Sequence, residues 1–104
     1  MLKITLVLIA VLSSSFGYTE YRATAYCLKG KTASGRQASI GTSAADPKFL
    51  KLGTRVYIRA GSYTGHYVVR DTGGRIKGRR IDIFVGSRRE ALNFGYKRVT
   101  LRVL

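Results

Sequence analysis

The stretch Asp71-Thr72-Gly73-Gly74-Arg75-Ile76-Lys77-Gly78-Arg79-Arg80-Ile81-Asp82-Ile83-Phe84-Val85 runs from an aspartate that opens a glycine turn into a strand that holds a second aspartate among apolar residues. With the period-two alternation of a strand, Ile81, Ile83 and Val85 take one face, and Arg80, Asp82 and Phe84 the other. Aspartate is costly to bury unless it is paired or hydrogen-bonded, so a carboxylate kept at Asp82 points to chemistry. A surface pair with Arg80 would contribute little stability. Asp71 by itself is accounted for as a turn opener whose carboxylate accepts backbone N–H groups. The third aspartate, Asp46 in Ala45-Asp46-Pro47, by itself fits the N-cap of a short turn with Pro47 in first position. The chain carries only 5 acidic residues against 19 Lys and Arg, so each carboxylate stands out.

Outward from this stretch, short runs rich in Val, Ile, Tyr and Thr recur with glycines between them. They predict six strands, at 21–26, 37–42, 55–59, 65–70, 80–85 and 97–103. Turn material separates them at 30–35, at Asp46-Pro47, at Gly53, at 61–65 and at 72–78. Six strands in so short a chain imply a closed or nearly closed barrel, because open edges are a liability. One helix is predicted at about 87–94. Ser87-Arg88-Arg89-Glu90 fits a capping box, Ala91, Leu92 and Phe94 supply apolar contacts, and Gly95 is placed to close it. The fold class is therefore mainly β, a small six-stranded barrel with one short helix.

Residues 1–17 read as a signal peptide. Lys3 gives a positive start, 4–12 is an apolar run too short to span a bilayer, and Ser15-Phe16-Gly17 offers a cleavage site. The remaining 18–104 is enough for a single domain with a modest core. Loss of Lys3 takes the net charge from +14 to +13, which predicts attraction to polyanions. Cys27 is the sole cysteine and excludes an internal disulfide; it reads as a small apolar residue at a strand end. His66, the sole histidine, reads as an ordinary strand residue, and a structural zinc site lacks ligands. The Val68-Val69 pair before Asp71-Thr72-Gly73 also fits an aspartic protease, but the tripeptide comes too late in the chain. A symmetric dyad would also leave Asp46 and Asp82 without a role.

Taken in order, Ala23-Thr24-Ala25-Tyr26, Thr32-Ala33-Ser34-Gly35, Ala45-Asp46-Pro47, Leu52-Gly53-Thr54-Arg55-Val56-Tyr57-Ile58, Asp71-Thr72-Gly73-Gly74-Arg75-Ile76-Lys77-Gly78, Arg80-Ile81-Asp82-Ile83 and Ala91-Leu92-Asn93-Phe94-Gly95 give a chain that resembles the three-aspartate (3D) domain family. Each piece is weak alone, and the ordered set is specific. Two departures are visible: Lys51 stands where the family usually has proline, and 59–66 replaces a more regular glycine–aromatic connection. The resemblance implies a double-psi β-barrel and a cell-wall-lytic activity like that of membrane-bound lytic transglycosylase A and the stationary-phase muralytic proteins.

For the site, the resemblance implies Asp82 as the acid/base, with Asp71 and Asp46 completing the catalytic group. Those two would raise the pKa of Asp82 as like-charged neighbours, hold substrate hydroxyls or order the loop. Thr32, Gly73, Gly74 and Lys77 are the expected substrate-binding positions, with Arg79 as a further basic contact. The expected partner is the peptidoglycan glycan strand, with anionic wall polymers alongside it. No cofactor or metal is implied, and no membrane span is expected once the signal is removed. A non-catalytic wall-binding or wall-loosening module remains the alternative. Nucleic-acid binding is a third reading, which basic residues interleaved with tyrosines suit but export disfavours.

Overall fold

The computed structural model describes residues 17–28, 32–35 and 37–104. The signal-peptide expectation for 1–17 falls, all but Gly17, outside the described residues. Among these residues the chain forms β1 (Thr19–Tyr26), β2 (Thr42–Ala45), β3 (Arg55–Arg59), a 3₁₀ turn (Gly61–Tyr63), β4 (Gly65–Asp71), β5 (Arg80–Phe84), α1 (Arg88–Phe94) and β6 (Lys97–Val103). The strands close into a barrel in the order β1-β5-β2-β4-β3-β6. The pairs β1/β5 and β2/β4 are parallel, and the other four are antiparallel.

Alternation builds the barrel interior. Tyr21 and Ala23 from β1, Val56 and Ile58 from β3, Val69 from β4, Ile81 and Ile83 from β5, and Val99 and Leu101 from β6 are all buried and in one cluster. Fully burying each isoleucine contributes about 1.5–3 kcal/mol. These residues leave the partners of opposite parity, Asp82 among them, on the outer face. Cys27 packs against the same cluster just beyond the end of β1.

The second strand departs from expectation. Residues 38–41 form no strand, and Gln37 makes only an isolated bridge. Gly41 has a positive φ of 93°, and a turn closes across it, with Thr42 N–H donating to the Ser39 carbonyl at 2.9 Å. The strand begins at Thr42, and all four of its residues are buried.

The helix forms where the cap signals put it. Ser87 Oγ accepts from Glu90 N–H at 3.1 Å, and Gly95 ends the helix with φ 70°. The reciprocal half of the capping box is not made. Glu90 Oε2 instead accepts from the Tyr63 hydroxyl at 2.9 Å and ties the 3₁₀ turn to α1. Phe94 meets the Tyr63 ring edge-on at 5.1 Å and joins the buried cluster, so the helix is fixed to the 3₁₀ turn and to the core. Arg88 and Arg89 are exposed, and solvent accommodates their position at the helix start.

Candidate active site

Asp82 sits in the middle of β5, opposite Thr24 of β1 on one side and Ala44 of β2 on the other. Its neighbours Ile81 and Ile83 point inward at 0% and 1% exposure, so its carboxylate points out of the barrel. Thr24 Oγ1 donates to Asp82 Oδ1 at 2.9 Å. Burial pushes the carboxyl above its ordinary range, while the Thr24 bond and the Arg80 charge oppose the rise. Burial therefore does the work expected of like-charged neighbours.

Asp71 reaches the same face by a different route. Ser43 pairs with Val69, but Ala44 pairs with Asp71, so β4 carries one extra residue, Arg70, at this point. Without that bulge, simple alternation from the inward Val69 would turn Asp71 into the barrel. Bulges beside functional sites re-aim side chains in this way. The result is a row, Thr24–Asp82–Ala44–Asp71, across four adjacent strands. Two interstrand spacings separate the aspartates, on the order of 10 Å between Cα atoms. Asp71 Oδ1 also accepts from Ala33 N–H at 3.0 Å and Thr72 N–H at 2.9 Å. Together with Ser34 N–H on the Arg70 carbonyl at 3.0 Å, this holds the 32–35 loop against the end of β4.

Asp46 is spent on backbone. Its Oδ1 accepts from Lys48 N–H at 3.0 Å and its Oδ2 from Gly78 N–H at 2.9 Å. Its carbonyl takes Phe49 and Leu50 N–H, each at 2.9 Å. The two amides hold the carboxyl below its usual range, helped by Lys77 and Lys48. Asp46 thus fastens the 72–79 loop to the end of β2.

The other expected positions divide. Thr32 is buried, with its hydroxyl 2.9 Å from Ser34 Oγ, in the loop that Asp71 holds. A side chain on Gly73 would come within 2.6 Å of Ile76 Cγ1, so this glycine serves loop packing over the buried Ile76. Gly74 has open space on that side, and Lys77 and Arg79 are exposed. His66 lies on β4 with its ring against Tyr57 at 5.1 Å.

Two residues of this outer face, Thr24 in the row and Tyr26 two positions beyond it, were not among the site residues expected from the sequence. Thr24 and Tyr26 alternate out of the barrel along β1, but their pairing with Asp82 and Phe84 depends on a contact between strands 58 residues apart. Tyr26 stacks edge-on against Phe84 at 5.6 Å. Its hydroxyl is buried without a hydrogen-bond partner among the described residues. Burial, with the charges of Asp71 and Asp82, pushes this phenol up to about 12. The phenol therefore stays neutral well above the neutral pH range.

Comparison with known proteins gives the same architecture. Residues 41–104 match the 3D domain family model. The chain is 38% identical over 90 residues to the cell wall-binding protein YocH of Bacillus subtilis, covering 83% of this chain and 30% of YocH. It thus spans under a third of the curated relatives it matches. The barrel superposes on the lytic transglycosylase LtgG of Burkholderia pseudomallei with TM-score 0.57 and 26% identity, over 72% of this chain and 25% of that one. A Clavibacter michiganensis expansin in complex with cellohexaose shares the fold at TM-score 0.61 and 17% identity, over 84% of this chain and 50% of that one. With most of its length matched and its barrel shared, the chain belongs to the 3D domain family.

Proposed function

We propose that the protein is an exported lytic transglycosylase that cleaves the β-1,4 bond between N-acetylmuramic acid and N-acetylglucosamine in peptidoglycan. The observation that carries the reading is Asp82: a half-buried carboxyl with raised proton affinity, on the outer face of the barrel, in register with Asp71 two strands away. A hydrolytic glycosidase needs a second carboxylate to activate water or attack carbon, at roughly 5 to 9.5 Å from the first. Asp71 is committed through Oδ1 to two backbone amides, so the arrangement suits chemistry that needs a single acid.

In that chemistry Asp82 gives its proton to the bridging oxygen as the bond to the muramic acid C1 breaks. Positive charge develops at C1, and the ionised Asp82 and Asp71 stabilise it. The C6 hydroxyl of the same sugar attacks C1 and passes its proton to Asp82. One C–O bond breaks, one forms, and the acid is restored without water. The attack is intramolecular, so proximity replaces a positioned water molecule. Thr24 keeps the carboxyl aimed outward through the cycle, and Asp46 keeps the 72–79 loop in place. An extracytoplasmic location goes with this reading, since the substrate lies there and the relatives at 38% and 31% identity are described as cell-wall proteins.

Mass spectrometry of peptidoglycan incubated with the protein tests the proposal. Wild type should release 1,6-anhydro muropeptides, and Asp82→Asn should release none while staying folded. Full activity in Asp82→Asn would remove Asp82 from the chemistry.

A non-catalytic wall-binding module is the second reading. The net charge of +14 and the likeness to a cell wall-binding protein favour it. It predicts that the protein sediments with peptidoglycan and releases nothing, with or without Asp82.

A further inference from the structure

Beside the acid row lies a cavity of about 410 Å³ that the chemistry above leaves unused. Arg55 of β3, His66 and the bulged Arg70 of β4 supply its polar wall, and Ile40, Val68 and Leu104 its apolar wall. Its volume falls within the range of small-molecule sites. The register explains why these groups meet. Val68 pairs with Arg55 on one side and with Thr42 on the other, all on the outward parity, and Leu104 N–H donates to the Arg55 carbonyl at 2.9 Å. Neither Arg55 nor Arg70 has a carboxylate within ion-pair distance among the described residues, where the one ion pair joins Arg98 to Glu20. Ile40 is 74% exposed on the same rim, so apolar surface stands open next to the guanidinium groups.

The cavity and the acid row share one face. Thr42, which lines the cavity, is two residues before Ala44 on β2, about 7 Å along the strand. Arg70 lies in the cavity wall, and the next residue, Asp71, lies in the row. A glycan sugar held at Asp82 and Asp71 would therefore carry its substituents to the mouth of this cavity.

We infer that the cavity is a subsite for the stem peptide of peptidoglycan, taking a peptide carboxylate on Arg55 and Arg70 and alkyl side chains on Ile40, Val68 and Leu104. This rests on the acid row being the place where the glycan strand is held. The apolar wall selects a peptide over a polyol phosphate polymer, which offers charge without alkyl side chains. Guanidinium groups match carboxylates through paired N–H donors, and His66 adds a further polar contact at the edge.

Two measurements on the full chain test the inference. In the first, free stem tetrapeptide is titrated into wild type and Arg55→Gln and followed by NMR, with ribitol phosphate oligomer as a parallel probe. The peptide should shift resonances of Arg55, His66 and Val68, and Arg55→Gln should weaken it about tenfold, as expected for one charge-assisted bond. Equal peptide affinity in the two proteins, or saturation by ribitol phosphate without peptide binding, overturns the subsite. In the second, cleavage rates are compared on glycan strands with and without stem peptides. The preference of wild type for peptide-bearing strands should fall about tenfold in Arg55→Gln, and an unchanged preference overturns the subsite. If neither protein cleaves either strand, the catalytic reading fails, and the peptide titration still decides the cavity. His66→Gln, at an exposed position, provides a second folded variant, and its peptide affinity should also fall; an unchanged affinity removes His66 from the subsite.

Discussion

Asp46 and Asp82 are the same side chain in opposite conditions. Asp46 gains two backbone amides and holds its charge; Asp82 is half-buried with one hydroxyl donor and tends to keep its proton. The signs follow for stability. The contribution of Asp46 is present above its ordinary pKa of 3.8 and is lost as pH falls through its lowered value. That of Asp82 is present below 3.8 and is lost as pH rises through its raised value. Asp82→Asn should therefore not lower the Tm at neutral pH, and a fall measured by thermal unfolding would mean that the ionised carboxylate stabilises the fold. Thr24→Val removes a donor that favours the charged form of Asp82. The limb of the pH–rate profile on which activity falls with rising pH should then move to higher pH. A limb that stays in place would assign it to another group. The sequence made Asp82 conspicuous, since alternation set it opposite two isoleucines. It could not reveal Thr24 as its partner or Tyr26 as the phenol beside it, because both depend on the parallel pairing of β1 with β5.

Among the elements, β3 and β6 were legible to the residue, because an exposed outer face leaves charge alternating with apolar bulk along each. The second strand was not. Thr42, Ser43, Ala44 and Ala45 are covered on both faces, so no polar–apolar period marks them. The bulge that turns Asp71 outward is equally silent in sequence, since Arg70 is a common surface residue. The loop at 72–79 shows how the aspartates cooperate. It begins beside Asp71 and is fastened by Asp46 at Gly78. Asp46→Asn leaves only one side-chain acceptor oxygen for two amides. Hydrogen exchange at Gly78 should accelerate in that variant while the core amides of β5 stay protected. Unchanged protection at Gly78 would mean that the loop is held by other contacts.

For the whole molecule, the cationic excess is almost entirely unpaired among the described residues. The ion pair between Arg98 and Glu20, at 3.6 Å, joins two exposed side chains and contributes little. So large a charge does not determine the barrel; it governs what the barrel approaches. Sedimentation with purified walls should weaken as salt rises from about 0.1 M to about 1 M, where the screening length shortens from about 10 Å to about 3 Å. Salt-independent sedimentation would mean that the net charge does not carry the affinity. Charge and fold together leave both a binding module and an enzyme open, and the distinction lies in what Asp82 does to the bond. Digesting peptidoglycan in heavy-oxygen water decides it most directly. Single-acid chemistry predicts muramic acid ends that are 1,6-anhydro, one water lighter than a hydrolytic end, and free of the heavy label. Reducing ends carrying the label, or intact strands, would contradict it.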